Sequence, residues 1–151
     1  PGGGVGEAGG PGAAAARGAR VAVNASGPAV ILNHAPRLLP RDRRAVFAVL
    51  SARGGAIGDN RAGGWYSYRT AKAALNQIMH TGAIELARSH RQSVCVALHP
   101  GTVDTGFTAG FSGRDKLSPD ASAAHLLRVL DGLGPQESGG FYDWQGTRVV
   151  W

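Results

Sequence analysis

The chain has 151 residues, 43% of them hydrophobic, which is enough for one domain with a modest core and too apolar for a disordered protein. No apolar run reaches the roughly 18 residues of a membrane span, and there is no signal-peptide pattern. The net charge of +6 comes from scattered arginines. The arginines cluster only at 41–44, and that run is expected to form a solvated turn. A nucleic-acid-binding surface is therefore the least favoured of three hypotheses about the function of this chain.

The first 39 residues divide into a predicted tail and a predicted helix. Residues 1–20 are mostly Gly, Ala, Pro and Arg, a composition that predicts a flexible tail. The G-x-G-x-x-G sequence at 4–9 follows no apolar strand, so it is not a dinucleotide fingerprint. Residues 21–39 have apolar side chains at helical spacing, and Pro28 and Pro36 are expected to kink or break that helix.

Strands and helices alternate through the rest of the chain. The predicted elements are a strand at 45–50, a helix at 67–89, a strand at 94–98, a helix from 118 to about 130, and a final strand at 140–144 and 148–151. Ser67 and Ser118 are the expected N-caps of the two helices. This alternation predicts an α/β fold with a parallel sheet and helices on its faces. The single Cys95 excludes an internal disulfide, is expected to be an inert core residue, and fits a reducing, cytoplasmic location.

Tyr68 and Lys72 lie four residues apart, which places both side chains on one helix face. A nearby ammonium favours the phenolate and is expected to lower the pKa of the tyrosine. A tyrosine adjusted in this way can give a proton to a carbonyl oxygen or accept one from an alcohol. The pair therefore predicts acid–base chemistry, although the same spacing also occurs in surface pairs.

Other polar positions follow the predicted strands. Ser51 ends the first strand, and the loop from Pro100 to Thr105 follows the second. Ligands of open α/β sheets bind beyond the carboxyl ends of the strands, so both positions are candidate site residues. Asn24 lies on the first predicted helix. The five histidines show no metal-ligand spacing, so no metal site is predicted.

In this order, the features resemble the C-terminal part of a short-chain dehydrogenase/reductase, in the branch of C-factor and carbonyl-reductase-like proteins. Three segments carry the resemblance: Leu50–Asn76, His99–Thr105 and Gly140–Trp144. It covers residues 21–151, which would form a partial Rossmann-type, doubly wound domain. The family's first strand, Gly-rich phosphate loop and ribose selector have no counterpart in the sequence given.

The resemblance implies roles for individual residues. Tyr68 would be the catalytic acid/base, and Lys72 would lower its pKa and hold the nicotinamide ribose. Asn24 would anchor a proton-relay water. The loop that packs on the nicotinamide end of NADP or NAD would comprise Pro100, Gly101, Thr102, Val103 and Thr105. Ser51 is the best candidate for the serine that orients the carbonyl, although alignment could place that role on Ala52.

The implied activity is NAD(P)-dependent carbonyl/alcohol interconversion on a small-molecule substrate, by a homodimer. The alternative is an inactive remnant that serves as an oligomerisation or partner-binding fragment. Because phosphate recognition needs a Gly-rich turn at a helix N-terminus, the 151-residue chain alone is expected to be inactive.

Overall fold

The computed structural model describes residues 13–111 and 115–151. It begins with helix α1 (Ala13–Val21) and helix α2 (Gly27–Leu38), which a π-helical turn (Ala22–Ser26) joins without a break. Pro28 lies in the first turn of α2 and Pro36 in its last turn. A proline has no N–H to donate to the preceding turn. The helix widens just before Pro28, where the N–H of Gly27 donates to the carbonyl of Ala22. The helix is continuous past both prolines, so the predicted break does not occur.

Part of the predicted tail is ordered. Residues 13–20 are helical, whereas the sequence predicts them as flexible; residues 1–12 lie outside the described part of the chain. Alanine is the best helix former, and α1 is rich in it. This helix also packs against helix α3 (Tyr66–Ala87). Residues 14–21 therefore pack on α3 while remaining exposed or half-buried.

The sheet has three parallel strands in the order β1 (Ala45–Leu50), β2 (Ser93–His99) and β3 (Phe141–Asp143). Leu50 pairs with Leu98, and Leu98 pairs with Tyr142, so the carboxyl ends of all three strands meet at one edge. The predicted α/β fold with a parallel sheet is confirmed.

Helices cover both faces of the sheet. On one face α2 and α3 enclose a core that contains Leu75, Met79 and Cys95. On the other face, α4 (Pro119–Gly132) packs Leu126 against Val96. Burial raises the pKa of Cys95 to about 12, which agrees with the prediction of an inert core thiol.

The two predicted helix caps differ in outcome. Ser118 caps α4, since its hydroxyl accepts a hydrogen bond from the N–H of Ala121 at 3.2 Å. Ser67 does not cap α3, because the helix already begins at Tyr66 and follows Trp65, which has a left-handed backbone. Ser67 is instead the second residue of α3, and it is 1% exposed.

The C-terminal residues turn back along β3. Arg148 forms an antiparallel bridge with Tyr142, and the N–H of Val149 donates to the carbonyl of Phe141 at 2.7 Å. Trp151 stacks on Phe141 with ring centroids 5.6 Å apart. Residues 148–151 are thus a return segment rather than a full strand. Among residues 13–111 and 115–151, no helix is both long and apolar enough to span a bilayer.

Candidate active site

A cavity of about 1100 Å³ opens at the carboxyl ends of β1 and β2. Tyr68 and Ser51 both line it, together with the loop that begins at Pro100. Its position is the one that open parallel sheets use for ligands. The structure therefore brings three sequence-predicted features to one cavity.

Tyr68 lies in the first turn of α3 and is held between a glycine and aromatic rings. A Cβ atom on Gly54 would lie 3.0 Å from the Cε1 atom of the Tyr68 ring, so a larger residue there would press on the ring. The ring also contacts Phe107 and Trp65, at centroid distances of 5.8 and 6.3 Å. Burial by these groups raises the pKa of Tyr68.

The raised pKa of Tyr68 is opposite in direction to the sequence expectation. Lys72 is one turn further along α3, but its ammonium donates a hydrogen bond to the carbonyl of Leu50 at 2.9 Å. Burial lowers the pKa of Lys72. Since the ammonium is bonded to the backbone of β1, desolvation rather than the lysine charge dominates at the phenol.

Lys72 lines a second, smaller cavity of about 340 Å³ between α2 and β1. Asn24 lines this cavity too, and Leu50 borders both cavities. Asn24 lies within the π-helical turn, where its side-chain amide donates to the carbonyl of Arg20 at 3.0 Å. Helical turns of this type are frequent at functional sites. The four predicted catalytic residues thus fall into two adjoining pairs, Ser51 with Tyr68 and Asn24 with Lys72.

Ser51 is only 3% exposed, and its hydroxyl is committed to another side chain. It donates to the Oδ1 atom of Asn76 at 2.5 Å, and Asn76 is itself buried. Ala52, the alternative position, is also buried and lines the larger cavity without a hydroxyl. A substrate oxygen at this wall would have to compete with Asn76 for the Ser51 proton.

The loop after β2 is held in a fixed shape. Gly101 has a left-handed backbone (φ 81°), and a Cβ there would meet the Trp144 ring at 2.9 Å. The hydroxyl of Ser122 donates to the carbonyl of Pro100 at 2.8 Å, which ties the loop to α4. The members of this loop that line the cavity are Pro100, Gly101, Thr102, Val103 and Thr105.

His99 lines the site, although the sequence analysis considered the histidines only as metal ligands. It ends β2 and lines the cavity, and its buried Nδ1 atom has no hydrogen-bond partner among the described residues. Burial, with the nearby charge of Arg53, lowers the pKa of His99 to about 4. The imidazole is therefore neutral at physiological pH. The sequence feature that could have identified His99 as a site residue is its position directly before Pro100, at the end of a strand.

Arg53 and two carboxylates form an ion-pair network beside His99. The guanidinium contacts Asp59 and Asp143, each at 2.9 Å. Asp143 is 4% exposed, and burying a carboxylate is costly unless it is paired. Within residues 13–111 and 115–151, no cluster of three or more His, Cys, Asp or Glu side chains could hold a metal ion.

A protein-family model described as enoyl-(acyl carrier protein) reductase matches residues 15–138. The C-signal protein of Myxococcus xanthus is 38% identical over 133 residues, which cover 85% of this chain and 75% of that protein.

Solved structures agree with these sequence matches. The NADPH-bound carbonyl reductase from chicken fatty liver is 32% identical with a TM-score of 0.65, covering 71% of this chain and 43% of that one. The carbonyl reductase Sniffer of D. melanogaster is 28% identical with a TM-score of 0.72, covering 87% of this chain and 55% of that one. The chain thus spans about half the length of these solved relatives. It belongs to the short-chain dehydrogenase/reductase family.

Proposed function

We propose that this chain supplies the catalytic wall of an NAD(P)-dependent oxidoreductase that interconverts a carbonyl and an alcohol. The observation that carries the proposal is the placement of Tyr68 in a large cavity at the carboxyl ends of β1 and β2. The relatives include carbonyl reductases, one of them bound to NADPH. The substrate would be a small molecule with a carbonyl or hydroxyl group.

The residues present fit the nicotinamide end of such a cofactor. Gly101 and Val103 both line the cavity, and the missing side chain of Gly101 leaves room for the Trp144 ring behind the loop. Lys72 carries a half-buried cation whose one recorded partner is a backbone carbonyl, so it can bind ribose hydroxyls. When bound, the nicotinamide would supply or accept the hydride.

Tyr68 handles the proton in this proposal. Its hydroxyl gives a proton to the substrate oxygen during reduction and accepts one during oxidation. The raised pKa of Tyr68 keeps the phenol protonated, which suits the donor role in reduction. Asn24 and Lys72 share the adjoining cavity, which fits a water-mediated path by which that proton is replaced. Ser51 would orient the carbonyl after giving up its bond to Asn76.

The diphosphate end of the cofactor has no such fit in the described residues. The Gly-rich segment between β1 and α3 does not open on a phosphate, because Gly54 and Gly55 pack against Tyr68 and the backbone of Lys72. Phosphate sites need free N–H groups at a turn or a helix N-terminus. We therefore expect the 151-residue chain alone to bind NAD(H) or NADP(H) no more tightly than about 1 mM.

A chimera tests the catalytic role of Tyr68. It carries residues 21–151 of this chain behind the N-terminal half of the D. melanogaster carbonyl reductase Sniffer. We expect Tyr68→Phe to lower kcat by about 100-fold or more, the scale of general acid–base catalysis. Tyr66→Phe is the matched control, because Tyr66 is 41% exposed and does not line the cavity. A Tyr68→Phe chimera that oxidises NADPH as fast as the control would refute the proposal.

We also propose that the chain forms a homodimer through α2 and α3, in a cytoplasmic setting that suits its one buried cysteine. Val30, Ile31 and Ile84 on these helices are 53–59% exposed. Gly82 on α3 packs against Leu32 of the same chain. Sedimentation at micromolar concentration should give the mass of a dimer, and a folded monomer would contradict it.

The second candidate function is a non-catalytic, partner-binding role. The observation that favours it is the outer edge of β1, which no strand of the described residues covers, with Leu50 57% exposed beside it. An uncovered strand edge can pair with another chain. A chimera that folds and binds NADPH, yet never turns over any carbonyl compound, would favour this role.

A further inference from the structure

Trp65 stands in an unusual backbone conformation beside Tyr68. Gly63, Gly64 and Trp65 all have positive φ angles, of 64°, 64° and 56°. Glycine adopts this left-handed region freely, but a bulky residue with a Cβ is strained there. Trp65 is the one non-glycine residue of the described chain with a positive φ. Such strain persists only where the surroundings hold it in place.

Arg69 is the group that holds this turn. Its Nε donates to the carbonyl of Gly64 at 2.9 Å and its Nη2 to the carbonyl of Gly63 at 3.2 Å. Successive residues in one helical sense point their carbonyls in nearly one direction, so a single planar guanidinium can reach both. Arg69 directly follows Tyr68 in helix α3, which begins immediately after the left-handed Trp65.

The same guanidinium also reaches the other side of Tyr68. Its Nη1 donates to the carbonyl of Gly54 at 3.4 Å, and Gly54 is the residue against which the Tyr68 ring packs. Arg69 therefore links Gly54, against which the phenol ring packs, to the two glycines that precede Trp65. A lysine, with one point charge, cannot bridge three carbonyls in this way.

Trp65 is the centre of an aromatic wall along the cavity. Its ring makes edge contacts with Phe111 at 5.9 Å, Tyr68 at 6.3 Å and Phe107 at 6.5 Å between centroids. Edge-to-face packing of this kind fixes the relative orientation of the rings. These rings supply the burial that surrounds the Tyr68 side chain.

We propose that Arg69 is a positioning residue, which acts by holding Trp65 in its left-handed conformation and so sets the aromatic wall beside Tyr68. The functional meaning of this wall rests on the proposed role of Tyr68. Arg69 itself contacts three backbone carbonyls and needs no contact with substrate.

The test uses the whole chain labelled with 5-fluorotryptophan and observed by ¹⁹F NMR. The chain has three tryptophans, Trp65, Trp144 and Trp151, and Trp65→Phe identifies the Trp65 signal. In Arg69→Met we expect the Trp65 signal to shift and to become more accessible to a soluble gadolinium chelate. We expect the other two signals to stay in place and report an intact fold, and Arg69→Lys to shift Trp65 in the same direction.

Arg61→Met is the matched control. Arg61 also lines the cavity, but its hydrogen bonds within the described part of the chain go to backbone carbonyls of its own turn, at Gly58 and Asn60. We expect that variant to leave all three signals unchanged. An unmoved Trp65 signal in folded Arg69→Met would overturn the proposal. So would equal changes at all three tryptophans in both Arg69 variants, since Arg69 would then serve the fold as a whole. No cofactor or turnover is needed, so this result is independent of whether Tyr68 transfers a proton.

Discussion

At the scale of single residues, two adjacent glycines set the positions of the proposed catalytic pair. Gly54 packs against the Tyr68 ring, and a Cβ on Gly55 would lie 2.6 Å from the backbone carbonyl carbon of Lys72. A methyl group at Gly55 would collide with the backbone of α3, and one at Gly54 would press on the Tyr68 ring. The loop after β1 therefore sits directly against α3, and this contact fixes the phenol and the ammonium relative to the end of β1.

Gly55→Ala should therefore destabilise the fold by about 1–3 kcal/mol, the usual cost of overpacking a close contact. The obstacle is the backbone of α3, which cannot rotate aside as a side chain can. Gly106→Ala is the control, because a Cβ there meets no atom within 4 Å and its φ is not positive. Denaturant unfolding would show the difference, and equal midpoints for the two variants would contradict this packing.

His99 predicts a dependence of stability on pH. Its pKa is about 4 in the folded chain and near 6.5 when the chain is unfolded, because burial disfavours the charged ring. The unfolded state therefore binds more protons between these values, and stability is lost as the pH falls from about 6.5 toward 4. The loss should be on the order of 1–3 kcal/mol.

Urea unfolding between pH 4 and 7 measures this effect. Gln is neutral throughout this range, so His99→Gln should remove most of the decline below pH 6.5. In the wild-type chain, NMR should show no titration of the His99 ring above pH 5. A ring that titrates near pH 6.5 would show that burial does not shift its pKa.

At the scale of elements, the sequence predicts the strands better than it predicts the ends of the helices. Continuous apolar runs mark β1 and β2, but only β2 is buried along nearly its whole length, whereas Ala48 and Leu50 of β1 are exposed. Helix α1 was missed because its alanines show no separate apolar face. The start of α3 was misplaced because a strained Trp65, rather than a serine hydroxyl, precedes it.

Some features of the candidate site can likewise be predicted from the sequence, and others cannot. Chain order and sheet topology place the Pro100–Thr105 loop at the end of β2 and Tyr68 in the first turn of α3. The bond of Ser51 to Asn76 and the reach of Arg69 depend on tertiary geometry between distant residues. The predicted direction of the Tyr68 pKa shift is wrong, because spacing along a helix does not show where the ammonium points or how much solvent is excluded.

The contact between α2 and α3 gives a prediction at this scale. A Cβ on Gly82 would collide with the Leu32 side chain, which packs across the two helices. Gly82→Ala gains up to about 1 kcal/mol of helix propensity but forces Leu32 to move. In a double-mutant cycle, Leu32→Ala should relieve that collision and give a coupling energy of at least about 0.5 kcal/mol. Additive effects would mean that the two helices do not pack at this point.

At the scale of the whole molecule, the described residues form a parallel sheet with a ligand cavity at one edge and an uncovered outer strand. Tyr68, Ser51 and the loop that begins at Pro100 line that cavity, and Asn24 and Lys72 line the adjoining one. The groups that would bind a diphosphate do not appear among residues 13–111 and 115–151. Under the proposed function, this chain carries the proton-transfer residues, and the cofactor site needs further backbone to be completed.

The most direct measurement of the central claim follows a deuterium atom. NADPH carrying deuterium at the transferable nicotinamide position is incubated with a carbonyl substrate of the Sniffer enzyme and either the 151-residue chain or the chimera, and the alcohol is analysed by mass spectrometry. We expect deuterium on the former carbonyl carbon with the chimera. We expect none with the chain alone, and at least about 100-fold less with the Tyr68→Phe chimera. A folded, NADPH-binding chimera that transfers no deuterium, or one whose transfer does not depend on Tyr68, would contradict the account.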